Sequence, residues 1–255
     1  MQTLDFSPVV AYRFTPQLSA GAGIDIYYSR LGVNYLVYPG MFGQPFETTS
    51  KIDADGMGYG GSLGLLYRGK NYSIGLKYKS GFSIDYDGDY KVPNIVNEDA
   101  SLKMDFPHIA GIGLALYPNQ KLKIEFDAEW MGYSCMEEIP VEITGLASYE
   151  MPKNWDDCYT FSMGTEYRKS DNVKLRGGIA YLTNSMPDST WDPSLPGADS
   201  IVVIAGGEFS GRMGTLDVSL GLNLFMEREI DEGGPYDGKY SSTGYFCTLA
   251  YKKSF

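Results

Sequence analysis

From Thr215 to Met226 the chain reads Thr-Leu-Asp-Val-Ser-Leu-Gly-Leu-Asn-Leu-Phe-Met. Leu216, Val218, Leu220, Leu222 and Leu224 share one phase of a period-two pattern, and Asp217, Ser219, Gly221 and Asn223 share the other. Successive side chains of a strand point to opposite faces, so the pattern predicts a strand with one apolar and one polar surface. The same alternation recurs at Leu18 to Tyr28, Leu63 to Tyr67, Ile74 to Tyr78, Tyr159 to Met163 and Val173 to Tyr181. It is clearest where Leu122, Ile124, Phe126, Ala128 and Trp130 alternate with Lys123, Glu125, Asp127 and Glu129.

The chain divides into about eleven such strands of about ten residues, the length a tilted strand needs to cross a bilayer. Short connections at 15–17, 70–71, 118–120, 170–172 and 211–214 alternate with long, loop-like ones near 29–55, 87–101, 135–157, 184–199 and 228–239. Outer-membrane barrels have short periplasmic turns and long external loops, whereas a soluble sandwich has no reason to alternate them. The expected fold is an all-β, antiparallel transmembrane β-barrel with its apolar faces toward lipid, forming a single domain over 1–255. Stepping back by twos from Phe255 meets Lys253, Tyr251, Leu249, Cys247 and Tyr245. That ending resembles the signal read by the barrel assembly machinery. With Phe255 on the periplasmic side, an odd strand count puts Met1 outside, which reads as a barrel truncated at its N-terminus.

Composition changes the picture little. The 255 residues include 31 Gly and 21 Tyr, and no apolar run approaches the ~20 residues of a membrane helix. A mean hydropathy of -0.22 would suggest a soluble protein, but polar lumen-facing positions dilute the lipid-facing ones in a barrel. The net charge of -11 argues against a nucleic-acid partner, which needs basic patches. The first residues, Met-Gln-Thr-Leu-Asp-Phe, have neither the basic start nor the apolar core of a signal peptide. The single histidine, His108, has lipid-side parity and no nucleophile beside it, so no enzyme activity is expected. No cofactor is expected. Asp87 with Asp89, and Asp156 with Asp157, are weak loop candidates for a cation, and no metal site is assigned. Cys135 and Cys158 flank one long connection. A register centred near residue 146 would place them opposite each other and allow a disulfide; Cys247 has lipid-side parity.

An ordered set of segments carries a family resemblance. They are Pro8-Val9-Val10-Ala11-Tyr12-Arg13-Phe14, Asp55-Gly56-Met57-Gly58-Tyr59-Gly60, Ile74-Gly75-Leu76-Lys77-Tyr78-Lys79-Ser80, Phe106-Pro107-His108, Glu129-Trp130-Met131-Gly132-Tyr133-Ser134, Leu175-Arg176-Gly177-Gly178-Ile179-Ala180-Tyr181 and Met186-Pro187-Asp188 before Leu195-Pro196-Gly197-Ala198-Asp199. With them the chain resembles the C-terminal part of the FadL/TodX family, outer-membrane channels for long-chain fatty acids and other hydrophobic compounds. The resemblance implies about eleven strands of a fourteen-strand barrel, an outer-membrane location, passive uptake and a monomer among outer-membrane lipids. It also implies that the Asn-Pro-Ala plug, the first three strands and the lateral exit in the third are missing, so the chain as given is not expected to transport by itself. The alternative function is a structural or adhesive barrel presenting acidic loops.

The family's ligands are amphiphiles, often carboxylates, so the inward-phase cations Arg176, Lys77, Lys79, Lys123 and Lys174 are the candidate ligand-binding residues, with Arg176 first and Lys77 second. The competing reading pairs these cations with Glu125, Asp127, Glu129 and Glu166 across the lumen wall, because unpaired buried charge is costly.

Overall fold

The computed structural model describes residues 1–37, 47–146, 148–193, 197–234 and 236–253. The terminal Phe255, the Leu195-Pro196 pair and the connection from 38 to 46 lie outside them. Alternation produces strands throughout. In chain order they are β1 (Gln2–Phe6), β2 (Val9–Arg13), β3 (Leu18–Val37), β4 (Thr48–Arg68), β5 (Tyr72–Lys79), β6 (Phe82–Val92), β7 (Val96–Phe106), β8 (Ile109–Asn119), β9 (Leu122–Met131), β10 (Glu138–Ile143), β11 (Tyr149–Pro152), β12 (Cys158–Ser170), β13 (Val173–Leu182), β14 (Ser200–Gly211), β15 (Gly214–Phe225), β16 (Arg228–Ile230), β17 (Gly238–Tyr240) and β18 (Thr243–Lys252). All but β16 and β17 form one sheet, and every ladder is antiparallel.

Three pairs are single strands interrupted once. β1 and β2 break at Ser7-Pro8 and both lie on β3, β5 and β6 break at Ser80-Gly81 and both lie on β4, and β7 and β8 break at Pro107-His108. Merging them leaves eleven spanning strands, with β10–β11 and β16–β17 as hairpins within long connections. No ladder among the described residues joins β18 to β1 or β2, so the sheet has two edges.

The apolar phase is exposed along every spanning strand. Val10, Leu63, Ile112, Phe161, Ile179, Leu220 and Leu249 are between 51% and 78% exposed. An apolar surface of this extent has no place in water, and it fits the lipid face of a barrel.

Along β3 and β4 the faces then exchange character. Met57, Tyr59, Leu63 and Leu65 occupy the outward phase of β4 near its short-turn end, and Asp55, Asp53 and Lys51 occupy that phase further along. The opposite phase passes from Ser62, Gly60 and Gly58 to the buried Ala54 and Ile52. Beyond this crossover β6, β7 and β10 add Ile84, Tyr86, Tyr90, Val92, Leu102, Ile139, Val141 and Ile143 to one buried cluster. Their other face carries Asp85, Asp87, Asp89 and Asp99. Lipid therefore ends near Met57, and the sheet continues into water with its apolar face turned inward.

Three expectations change here. Of the connection expected over 29–55, β3 takes the residues to Val37 and β4 those from Thr48, paired with each other. Residues 87–101 are not a loop, because β6 runs to Val92 and β7 restarts at Val96; the aspartates that suggested turns are the solvent face of a strand. Cys135 and Cys158 are free thiols, as is Cys247. Cys158 pairs in register with Met131, in a ladder centred near residue 145 that leaves Cys135 four positions out of step, in a 3₁₀ turn at Tyr133–Cys135. Burial pushes the Cys135 thiol up, which disfavours its reactive thiolate.

Asp157 holds that turn. Its carboxylate accepts hydrogen bonds from Trp130 Nε1 at 2.8 Å and Ser134 N at 3.1 Å. The Ser134 bonds, then Trp130, hold its pKa below the ordinary 3.8. A depressed folded pKa contributes order that is present above the unfolded value and is lost as pH falls through the folded one. Trp130 fluorescence should therefore change on acidification below about pH 4, the ordinary carboxylate range, and Asp157→Asn should abolish that transition. On the lipid face, Leu220→Arg should cost about 2–4 kcal/mol in urea unfolding from lipid vesicles, and Ser219→Arg on the opposite face much less.

Candidate functional site

The inward face has three tiers. At the long-connection end, Tyr27 on β3 stacks on Phe82 of β6 at 3.8 Å between centroids and 7° between planes. Phe82 in turn stacks on Phe106 of β7 at 4.7 Å and 10°. The first pair reaches across the intervening β4 because Gly58 sits between them. A Cβ there would lie 2.8 Å from Phe82 Cδ2 and 2.9 Å from Ile84 Cγ1, and one at Gly56 would collide with the Asp85 carbonyl. Lys79 Nζ lies 5.1 Å from the Tyr27 ring centroid and 3.0 Å from Asp5. Behind the stack, Tyr86 donates to Ser29 Oγ at 2.9 Å, and both residues are fully buried. Asp25 is 1% exposed, and its Oδ2 has no hydrogen-bond partner among the described residues.

The middle tier is thin-walled. Gly75, Gly111 and Gly113 leave a hollow of about 410 Å³ edged by Lys77, Glu129, Asp127 and Ser162. Lys77 pairs with Glu129 across β8, where Gly111 offers no side chain to obstruct it.

The inner tier, next to the short turns, is charged. Register places Glu166 opposite both Lys123 and Arg176, and Glu208 opposite both Lys174 and Asp217. Arg176 donates from Nε to Glu166 at 2.8 Å, from one terminal nitrogen to Glu208 at 3.1 Å and from the other to Asp217. Lys174 reaches Glu208 at 2.8 Å, and Lys123 reaches Glu125 at 2.5 Å. A hollow of about 520 Å³ lies over Arg176, Gly178, Val202, Gly206 and Ser219.

All five cations singled out from the sequence thus point inward, and each pairs with a carboxylate. Three of those partners, Glu125, Glu129 and Glu166, were in view from their own strands. Asp5, Glu208 and Asp217 were not, because only strand register reveals them. Nor was the aromatic stack. Its signal was the shared phase of Ile84, Tyr86, Tyr90 and Val92, which continues from a strand into the stretch 87–101 read as loop. His108 lies at the β7–β8 break, its Nδ1 bonded to Tyr78 Oη at 2.7 Å and its ring stacked on that exposed tyrosine. Among the described residues no group of three or more His, Cys, Asp or Glu is arranged to hold a metal.

Comparisons with known proteins agree with this architecture. A family model described as outer membrane protein transport protein (OMPP1/FadL/TodX) matches residues 1–255. The long-chain fatty acid transport protein of Escherichia coli O6:H1 is 24% identical over 247 residues, covering 81% of this chain and 55% of that protein. Its Salmonella typhi counterpart is 23% identical over 271 residues, covering 92% and 62%. The chain therefore spans little more than half the length of these relatives. Among solved structures, a Pseudomonas aeruginosa FadL homologue superposes with a TM-score of 0.78 at 18% identity, covering 97% of this chain and 65% of that one. The Ralstonia pickettii toluene transporter TbuX superposes with a TM-score of 0.70 at 20% identity, covering 99% and 67%.

The charged tier makes a specific demand. Removing the Arg176 guanidinium leaves Glu166, Glu208 and Asp217 converging with one lysine among them, and like charges placed together destabilise a sheet. Arg176→Ala should lower the urea midpoint at pH 7, with the deficit shrinking as pH falls through the carboxylate range. Arg176→Lys, which keeps the charge and loses the fork, should fall between the two.

Proposed function

The chain belongs to the outer membrane protein transport family OMPP1/FadL/TodX, and from its inward face we propose that it forms the wall of an outer-membrane channel for passive uptake of small hydrophobic molecules. The aromatic stack of Tyr27, Phe82 and Phe106, set in the apolar cluster at the external end, carries this reading. It offers an apolar molecule entering from outside a flat π surface and aliphatic neighbours, the composition expected of a hydrophobic ligand site. Lipid then covers the outward phase of the spanning strands.

Recognition of the apolar body belongs to the outer tier in this reading. A cargo carboxylate approaching Arg176 would meet the three carboxylates already gathered on it, Glu166, Glu208 and Asp217, and be repelled by them. The inner tier is accordingly assigned to bracing β9, β12, β13, β14 and β15. The relatives include proteins named for transport of long-chain fatty acid and of toluene, which share an apolar body, and that shared feature is what the outer tier reads.

Uptake of radiolabelled toluene and oleate by cells carrying the full gene tests the proposal. Each stacked aromatic pair is worth about 0.5–1.5 kcal/mol, so Tyr27→Ala with Phe82→Ala should slow initial uptake of at least one cargo by about three- to tenfold at equal protein level in the membrane. Uptake indistinguishable from a strain lacking the gene would leave a structural barrel. Wild-type uptake in the double variant would remove the outer tier from the pathway.

A further inference from the structure

The short turns collect cations that no carboxylate answers. Arg13 and Arg68 end the strands before the first and second turns, and Lys70 stands in the second. Lys121 closes the third, Arg168 precedes the fourth and Arg212 stands in the fifth. All six are exposed, and among the described residues none forms an ion pair. Asp171 is the only carboxylate within these turns. The five inward cations further up the sheet, by contrast, each have a carboxylate partner.

Three of these cations meet over one hollow. About 360 Å³ lies between the β4–β5, β8–β9 and β12–β13 turns, with Lys70, Lys121 and Arg168 on its walls beside Asn71, Tyr117 and Asn119. Lys123 and Glu166 also reach the lining, and both are already paired, with Glu125 and Arg176. Backbone bonds fix the walls. Arg168 N donates to the Lys121 carbonyl at 2.8 Å, Tyr117 N to the Asn71 carbonyl at 2.8 Å, and Lys121 N to Asn119 Oδ1 at 2.9 Å. Register sharpens the imbalance. Arg168 stands beside Lys121 on one side and opposite Lys174 on the other, and like charges placed together destabilise a sheet. Glu208 answers Lys174, and nothing answers the other two.

We propose that this hollow is a binding site for a phosphate monoester group. Three uncommitted cations face it, so its occupant must bring more than one negative charge. A phosphate monoester carries about −1.5 to −2 at pH 7 and three acceptor oxygens, whereas a carboxylate brings a single charge. The Arg168 guanidinium can fork onto two of those oxygens, and the lysines act as point charges. The short-turn end of an outer-membrane barrel faces the periplasm. The group is therefore supplied by a soluble monoester there or by an inner-leaflet lipid with a terminal phosphate. Neither source has to pass the aromatic stack, so the site goes beyond the channel reading and does not depend on it.

The test titrates glycerol 3-phosphate, the head group both sources share, into the full-length protein in phosphatidylcholine nanodiscs at low salt, followed by calorimetry. The expected result is saturable binding, weakened about tenfold or more in the Lys121→Gln, Arg168→Gln protein, which removes hydrogen bonds to a charged group. Arg30→Gln, at the external end where Arg30 pairs with Asp53, should leave binding unchanged. The double variant should unfold in urea at or above the wild-type midpoint, because it relieves like-charge repulsion, so a lost response is not a lost fold. Hexanoate at equal concentration should compete weakly. Nanodiscs doped with phosphatidate separate the sources: the glycerol 3-phosphate response disappears where the lipid fills the site and persists where the soluble monoester does. Absence of saturable binding, an unchanged response in the double variant or an equal loss in Arg30→Gln would overturn the site. Hexanoate competing on equal terms would overturn the phosphate class.

Discussion

Inside a bilayer no water is available to satisfy a backbone N–H or C=O, so each spanning strand must pair along its length with both neighbours. Most other features of the sheet follow from that constraint. The ladders from β3 through β18 follow one another around the sheet, interrupted at Ser80-Gly81 and Pro107-His108 and bulged near the short turns at Arg168/Ser170 and Leu116/Asn119. Pro8 and Pro107, which cannot donate, stand at strand interruptions rather than within a ladder. Ladder continuity also sets the side-chain problem. Every strand places half its residues against lipid and half inside, and the inside half brings together residues distant in the chain, as where Lys79 meets Asp5.

The exchange of polarity near Met57 and Asp55 shows how one sheet serves two solvents. Strand phase does not change there, but the residue types do. Aspartates take over the outward positions once lipid ends, and isoleucine, valine and tyrosine take over the inward ones. The consequence is functional. The continuous inward apolar cluster lies above the membrane edge, and the inward wall below it is mostly small-residued and then charged, with Val202 and Ile204 among it. An apolar solute arriving from outside therefore meets the aromatic stack, with the Lys79–Asp5 pair beside it, before the ion pairs of the middle and inner tiers.

Ion pairs on the inner tier and the hollow at the short turns depend on the same frame. Arg176 meets Glu208 because β13 and β14 are paired, and it meets Asp217 because β15 is the next strand over. The hollow edged by Lys70, Lys121 and Arg168 requires three short turns held side by side, with Tyr117 N on the Asn71 carbonyl and Arg168 N on the Lys121 carbonyl.

Local rules were sufficient for much of this protein. Period-two alternation fixes which face each residue takes in a strand, so the eleven spanning strands, the short turns, the lipid surface and the inward direction of Lys77, Lys79, Lys123, Lys174 and Arg176 were all legible in the amino-acid order. Partners were not, because a strand's phase says nothing about its register with a neighbour. Glu208 and Asp217 became partners of Arg176 only through the ladders, and Cys158 faces Met131 rather than Cys135 because the β9–β12 register sets it there, with Cys135 further along in a 3₁₀ turn. Residues 87–101 were misread for a related reason. Asp87, Asp89 and Asp99 look like turn residues until the sheet supplies a buried face for Tyr86, Tyr90, Val92 and Leu102. The aromatic stack needed all of it, because Tyr27 and Phe82 stand on strands that do not touch and meet only across a glycine in the strand between them.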